Sequence, residues 1–392
     1  MSDFKFIVSS KVLLDAVETV GQVVVANPIV PILENVLFAL DAGQLTLRAS
    51  DLKSTLIKTL AIDAGPEQAG AIALPYKLLR NLLKALDEQA ITIAIGGDQF
   101  AADVLTDNGA YHISGENAID FPRLPTFCTR AAVTINGSTL AEAISSVAPC
   151  CSEDELRPAM NGMFWDFTPD GHEFVATNGH CLARLRVPYA DGETAPTWDD
   201  GSPLKIIIPH KPLGLIYPLL PASELVSVEL TTNHLRLAIG AAVVYALLTD
   251  ERFPDYQNAI PDNQPIRVKV SRKDLISTLS RVLLPILVET KNDGRVALNI
   301  NGQLTIEAEN LNYNHTARES LLCDHDGDDI RIGFDGRLTL DLLKLLSAAH
   351  VNHVTIGLTS PRLAGIIRAF ETPTGGHDLL LLQMPLVLNP FE

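Results

Sequence analysis

One short pattern occurs three times in the chain at intervals of about 130 residues, and a repeat of that length implies a string of similar domains rather than a single core. The copies are Gly43-Gln44-Leu45-Thr46-Leu47-Arg48-Ala49, Gly171-His172-Glu173-Phe174-Val175-Ala176-Thr177 and Gly302-Gln303-Leu304-Thr305-Ile306-Glu307-Ala308. Each starts at a turn glycine and then alternates apolar with polar residues, as a half-buried strand does. Two more landmarks recur at compatible offsets. Phe4 to Ser10, Ala132 to Ser138 and Ile266 to Ser271 each read as a strand ending in a serine N-cap before a helical stretch. Ile72 to Leu79, Ile206 to Leu213 and Ile332 to Leu338 each read as a strand that opens a short amphipathic helix. Each repeat is therefore expected to be an α+β domain with two helices and antiparallel sheet. The Pro-rich stretches Phe121-Pro122-Arg123-Leu124-Pro125 and Ile260 to Pro265 predict boundaries, giving domains 1–127, 128–262 and 263–392.

Hydrophobic residues make up 47% of the 392, yet no run reaches the roughly 18 apolar residues of a membrane span, so no membrane association is expected. Met1 to Phe6 has no basic region followed by an apolar stretch, and a cytoplasmic location is expected. The five cysteines, Cys128, Cys150, Cys151, Cys181 and Cys323, contain no C-x-x-C pair and read as reduced thiols. Cys150-Cys151 reads as a buried pair at a helix end rather than a redox couple.

A formal charge of −17, from 47 acidic and 30 basic residues, opposes general attraction to phosphate, so any nucleic-acid contact must rely on basic residues gathered locally. Lys77, Arg80 and Lys84 share one face of a predicted helix, and Leu78, Leu79, Leu82 and Leu83 are expected on the other. Lys11, Lys211, Arg272, Lys273, Arg281 and Lys344 lie in corresponding stretches, diluted by Asp15, Glu18, Glu142, Asp274 and Asp341. The bland reading of such charges is a solvated helix face.

Phosphate loops, dinucleotide fingerprints, nucleophile elbows and zinc-protease motifs are all missing from the sequence. The acidic runs Glu153-Asp154-Glu155 and Asp250-Glu251 read as solvated surface, and His350 with His353 lacks the partners a metal site needs. No enzyme activity, metal or cofactor is expected.

Val30 to Val36, Arg157 to Met163, Ala176 to Ala183, Arg252 to Tyr256 and Gln383 to Leu386, in that order, resemble segments of the DNA polymerase III beta subunit family, the bacterial sliding clamps. The resemblance implies three similar DNA-clamp domains, with a head-to-tail homodimer closing into a ring whose helices line the hole. It implies a processivity factor that encircles double-stranded DNA without reading its sequence. The expected partners are the polymerase III alpha subunit, the clamp loader, and other polymerases and repair proteins that carry clamp-binding peptides. Arg157 matches a DNA contact, and Asn27 holds a loop site often occupied by arginine in the family; Lys11, Lys77, Arg80, Lys84, Arg272 and Lys273 join them as candidates.

A partner-peptide pocket between domains 2 and 3 is implied at Met160, Thr177, Gly179, His180, Leu182, Pro254, Leu382, Met384, Pro385 and Leu386. Tyr111 matches an aromatic dimer-interface position, and Leu283 with Leu284 is expected to meet it across the subunit boundary. The chain departs from the family at Cys181, at Asn258-Ala259 and in the tail Asn389 to Glu392. Two other readings stay open here: a clamp serving a plasmid, phage or secondary replicase, and an enzyme on a repeated α+β scaffold, which would need a convergent polar pocket with perturbed ionisable groups.

Overall fold

The structure is a computed structural model and describes residues 4–62, 64, 68–96, 100–189, 195–287, 294–310, 314–346, 351–371 and 376–388. It contains three copies of one order of elements. The first copy runs β1 (Phe4–Ser9), α1 (Ser10–Gly21), β2 (Asn35–Asp41), β3 (Gln44–Ser50), β4 (Ser54–Ala61), β5 (Gly70–Pro75) and α2 (Tyr76–Ala85). It ends with β6 (Ala90–Gly96), β7 (Ala101–Leu105), β8 (Ala110–Ser114) and the short β9 (Glu116–Asn117). The second comprises β10 (Ala131–Asn136), α3 (Gly137–Val147), β11 (Gly162–Thr168), β12 (Gly171–Thr177), β13 (Cys181–Pro188) and β14 (Lys205–Pro209). Its second half is α4 (His210–Ile216), β15 (Leu225–Leu230), β16 (His234–Ile239) and β17 (Ala242–Leu247). The third comprises β18 (Ile266–Ser271), α5 (Arg272–Leu287), β19 (Arg295–Ile300), β20 (Leu304–Asn310), β21 (His315–Leu321), β22 (Asp324–Asp326) and β23 (Ile330–Asp335). It closes with α6 (Gly336–Leu345), β24 (His353–Leu358), β25 (Gly365–Ala369) and β26 (Asp378–Gln383).

The chain divides into two compact units, residues 1–138 with 214–248 and residues 139–213 with 249–392. Unit 1 holds a four-stranded sheet, β1-β6-β7-β8, and a nine-stranded sheet, β10-β15-β16-β17-β4-β3-β2-β5-β9. Unit 2 holds the counterparts, β21-β20-β19-β23 and β14-β11-β12-β13-β26-β25-β24-β18-β22. Each long sheet joins half of one repeat to half of the next. In unit 1 β17 pairs antiparallel with β4, from Ala242↔Lys58 to Ala246↔Ser54, and in unit 2 β26 pairs with β13, from Cys181↔Gln383 to Arg186↔Asp378.

Alternation sorts the strands as expected: Phe4, Phe6 and Val8 of β1 are buried while Lys5 and Ile7 are exposed. Helix α1 buries Leu13, Val17 and Val20, and at Gly21 a Cβ would come within 2.0 Å of the Tyr76 ring, which packs into the space the glycine leaves. On α2 the expected apolar face is narrower than the sequence pattern suggests, since Leu79 and Leu83 are buried but Leu78 is 53% exposed.

The serine caps hold for one helix of three. Ser271 Oγ accepts from Asp274 N at 3.3 Å. Ser10, the expected cap, is the first helical residue instead, with its Oγ donating to Asp87 O and accepting from Gln89 N, and Ser9 at the cap position makes no side-chain cap bond. In the second copy Asn136 Oδ1 accepts from Ser138 N at 3.0 Å, so the asparagine replaces the serine. Register also shifts the middle glycine by one position. Leu37↔Arg48 and Phe164↔Val175 are the matching pairs, which aligns Gly43 with Asp170 rather than with Gly171. Gly171 has a separate reason to be glycine: a Cβ there would lie 2.2 Å from Val187 O.

Within unit 2, His377 Nδ1 lies 2.8 Å from Glu142 Oε2 on α3, and this hydrogen bond raises the imidazole pKa. A histidine with a raised folded pKa stabilises the fold fully below its unfolded value of about 6.5, and the contribution is lost as pH rises through the folded pKa. E142Q should therefore cost roughly 0.2–1 kcal/mol near pH 5.5 and progressively less above pH 7, as read from urea midpoints at both ends of that range.

Candidate functional site

In unit 2 the turn from β12 to β13 is fixed by its own side chains. Thr177 Oγ1 donates to Cys181 O at 2.6 Å, and Asn178 Oδ1 accepts from His180 N and Cys181 N, each at 2.9 Å. Gly179 occupies the left-handed region at φ +88, which a side chain would strain. The turn leaves the His180 carbonyl directed at the neighbouring strand, where it accepts from Met384 N at 2.8 Å. Leu182 and Leu382 face each other across the same ladder and are both buried.

Beneath this edge lies an apolar cluster of Phe164, Val175, Leu182, Ile207, Phe253, Tyr256, Ile366, Leu380 and Leu382, with Ala159 and Ile260 packed on it. Phe164 and Phe253 stack at 4.8 Å with ring planes 9° apart. The strands carry Leu182 and Leu382 into the cluster, while Met384 and Leu386 stay 41% and 36% exposed. Thus the structure brings together Thr177, Gly179, His180, Leu182, Leu382, Met384 and Pro385, with Pro254 next in sequence to Phe253. Met160 is half-buried, and its neighbour Ala159, not Met160, packs on the cluster. Leu386 leaves the groove edge and bonds through its amide to Gly333 O at 2.8 Å.

Sequence reading missed the groove floor. Arg252 to Tyr256 was singled out for Pro254, but Phe253 and Tyr256 carry the packing; alternation from Leu182 along its strand would also have reached the charged residues beyond. There Glu173, only 3% exposed, accepts from the Tyr256 hydroxyl and from Arg186 Nε. Burial, reinforced by Glu173, pushes the Tyr256 phenol well above its usual range. Asp378 accepts from Arg184 Nη2 at 3.2 Å and Arg368 Nη1 at 2.7 Å, and burial lowers the Arg184 pKa. Gln383 bonds inward, donating to Asp335 O and accepting from Thr339 Oγ1, both at 2.8 Å, so it anchors β26 to the start of α6.

The candidate basic residues are less available than their sequence pattern suggests. Arg80 pairs with Glu18 at 2.9 Å, Lys11 with Glu88 at 3.7 Å and Arg157 with Asp154 at 3.3 Å. Lys77, Lys84 and Lys273 are exposed, Arg272 is half-buried, and Asn27 is exposed with φ 52 and its amide on Glu34. Tyr111 is 42% exposed on β8, the outer strand of its sheet, and Leu284 is 62% exposed on α5. Leu283 is 1% exposed, and a Cβ on Gly336 would lie 3.0 Å from its Cδ2, so it packs into the core of unit 2.

Cys150 and Cys151 lie buried where the helical stretch after α3 ends. The hydrogen bond with Cys181, then burial, pushes the Cys150 thiol up; burial pushes Cys151 up to about 12; and the Cys150 contact lowers Cys181. His353 Nδ1 lies 3.1 Å from Glu371 Oε1, whereas His350 is outside the described residues, as is the tail Asn389 to Glu392. Glu153-Asp154-Glu155 and Asp250-Glu251 are exposed. Among the described residues no group of three or more His, Cys, Asp or Glu could hold a metal, and no helix is long and apolar enough to cross a membrane.

Comparison with known proteins places this geometry. Residues 4–125 match the N-terminal domain of the DNA polymerase III beta subunit, and residues 134–255 match its central domain. The chain belongs to the DNA polymerase III beta subunit family. The beta sliding clamp of Synechocystis is 28% identical over 98% of this chain and 99% of its own, and that of Escherichia coli K12 is 26% identical over 88% and 92%. The DnaN sliding clamp of Bartonella birtlesii bound to griselimycin superposes with a TM-score of 0.88 at 26% identity, covering 99% of this chain and 100% of that one. The sliding clamp of Bacillus subtilis, at 20% identity and a TM-score of 0.89, has the same fold. As a beta subunit the protein is a DNA sliding clamp, a processivity factor without a catalytic centre.

Proposed function

We propose that two copies of this chain close head to tail around duplex DNA and hold partner proteins through the groove in unit 2. The observation that supports the ring is the strand pairing. The first half of one repeat pairs with the second half of the next at β4·β17 and at β13·β26. By the same rule the third joint is β21 with β8, and these are the outer strands of the two short sheets. An unpaired antiparallel edge is a template for another chain, and a heterologous contact that closes leaves no free edge. On this reading the domains are 1–127, 128–262 and 263–392, six to a ring. Tyr111 and Leu284 lie at the joint, and Leu283 supports it from within. Combining Y111D with L284D should convert dimers into folded monomers in sedimentation at low concentration; an undiminished dimer would remove the joint from this surface.

The duplex would meet the helices, where Lys77, Lys84 and Lys273 present charge and acidic neighbours mute Arg80 and Lys11; Arg157, in the loop before β11, is muted by Asp154 in the same way. A chain of net charge −17 with such tempered contacts suits sliding, which needs weak attraction that ignores sequence. K77E with K84E should weaken retention on nicked circular DNA and flatten its salt dependence while peptide binding stays unchanged. Equal retention at low salt would place the DNA contacts elsewhere.

The groove supports the tether. A short extended peptide from the polymerase alpha subunit, the clamp loader or a repair protein would lay apolar side chains on Leu182, Leu382 and Phe253, beneath Met384 and beside Gly179. Burying one leucine or methionine side chain contributes roughly 1.5–3 kcal/mol. M384D tests this more cleanly than truncation after Leu382, which would also remove the Gln383 anchor. It should weaken a fluorescein-labelled peptide ending in Leu-Phe by at least about tenfold in anisotropy titrations and leave the dimer intact. Wild-type affinity in M384D would move the tether. The alternative of a clamp dedicated to a plasmid, phage or secondary replicase shares this machinery, and gene replacement in the host separates it from the chromosomal role.

A further inference from the structure

The pairing register aligns the groove of unit 2 with a second place in the chain, wholly inside unit 1. Ser54 stands where Cys181 stands, and the turns before them match bond for bond. Ser50 Oγ donates to Ser54 O at 3.1 Å as Thr177 Oγ1 does to Cys181 O, and Asp51 Oδ1 accepts from Lys53 N and Ser54 N as Asn178 Oδ1 does from His180 N and Cys181 N. Leu52 takes the position of Gly179 and keeps its left-handed backbone, φ 74 against 88, although a leucine is strained there. Leu247 N bonds Lys53 O at 2.8 Å, as Met384 N bonds His180 O, and Leu247 is 37% exposed where Met384 is 41%. Beneath, Phe121 packs on Ile32, Leu37 and Ala73, the counterparts of Phe253 on Ala159, Phe164 and Ile207.

Several side chains differ between the copies, Thr55 for Leu182 and Leu52 for Gly179 among them, and two more decide what the unit 1 site holds. Tyr245, opposite Thr55, holds the place of Leu382, and the Phe127 ring packs edge-on against it with centroids 5.9 Å apart and planes at 78°. At the same separation from the phenylalanine of the other linker, unit 2 has the exposed Ala259. Arg48 replaces Val175; its guanidinium lies 5.1 Å from the Phe121 centroid, donates to Pro122 O at 2.9 Å, and leaves Nε buried without an acceptor. The linker is thereby held down with an aromatic ring over the residue on which, in unit 2, a partner's apolar side chain would rest.

We propose that unit 1 carries a second groove for short apolar peptides and that Phe127 of the chain's own linker occupies it. The assignment rests on the peptide reading of the unit 2 groove. Phe127 supplies in cis what a partner supplies in trans, at the high effective concentration of a tethered group, so the wild-type chain presents one open groove.

Peptide stoichiometry in the full-length dimer tests this, with the fluorescein-labelled peptide ending in Leu-Phe as probe. Titrated to a few times the wild-type Kd, wild type should approach one peptide per chain, F127A two, M384D a small fraction of one, and F127A combined with M384D one. Y245L combined with M384D, which leaves the linker sequence intact, should also recover binding and covers the case in which F127A fails to fold. If both double variants are folded dimers and neither binds more peptide than M384D alone, the second groove does not exist. If M384D alone still binds one peptide, the reading of the unit 2 groove falls, and a gain or no gain of a second peptide in F127A then decides this proposal by itself.

Discussion

Everything else in this molecule depends on antiparallel pairing between strands from different repeats. A repeat of this kind cannot satisfy its own edges: its two half-sheets each end on a strand whose amides and carbonyls face outward. Joining β17 to β4 and β26 to β13 converts those edges into continuous nine-stranded sheets. The candidate site is a by-product of one such joint, because the backbone that completes the ladder at Met384 and His180 also brings Leu382 against Leu182 above a stacked pair of aromatic rings.

Much of this was legible in the sequence because strand periodicity and helix starts are local signals. The three landmarks fell on equivalent elements, and the turn glycines Gly43 and Gly302 open equivalent strands. Failures came where a residue answers to something distant in sequence. Ser10 reads as a cap, but it is the first helical residue and its hydroxyl meets a loop at Asp87 and Gln89. Gly171 looked like a turn glycine, but it is small because Val187 O comes close. Leu283 and Leu284 are adjacent on a helix, and only the fold reveals which points inward. For the groove, the rim was legible through family resemblance, whereas the floor of Phe164, Phe253 and Tyr256 is defined by which strands become neighbours.

Charge was the least legible property. A count of lysines and arginines along a helix face treats each as available, yet Arg80, Lys11 and Arg157 each have a carboxylate within 4 Å. Two of those partners, Glu18 and Glu88, are far away in sequence, so the pattern overstated the positive face. Part of the excess acid of the composition lies in these pairs, which temper the positive face.

The two outer strands left by the short sheets also carry a hazard. If the two edges pair between chains as proposed, they do not count subunits; they only recognise each other, and the bend at the joints would decide whether the next chain turns back or continues outward. On the proposed closure, a substitution that flattened β4·β17 or β13·β26 would keep both outer strands able to pair and still favour an open filament over a ring.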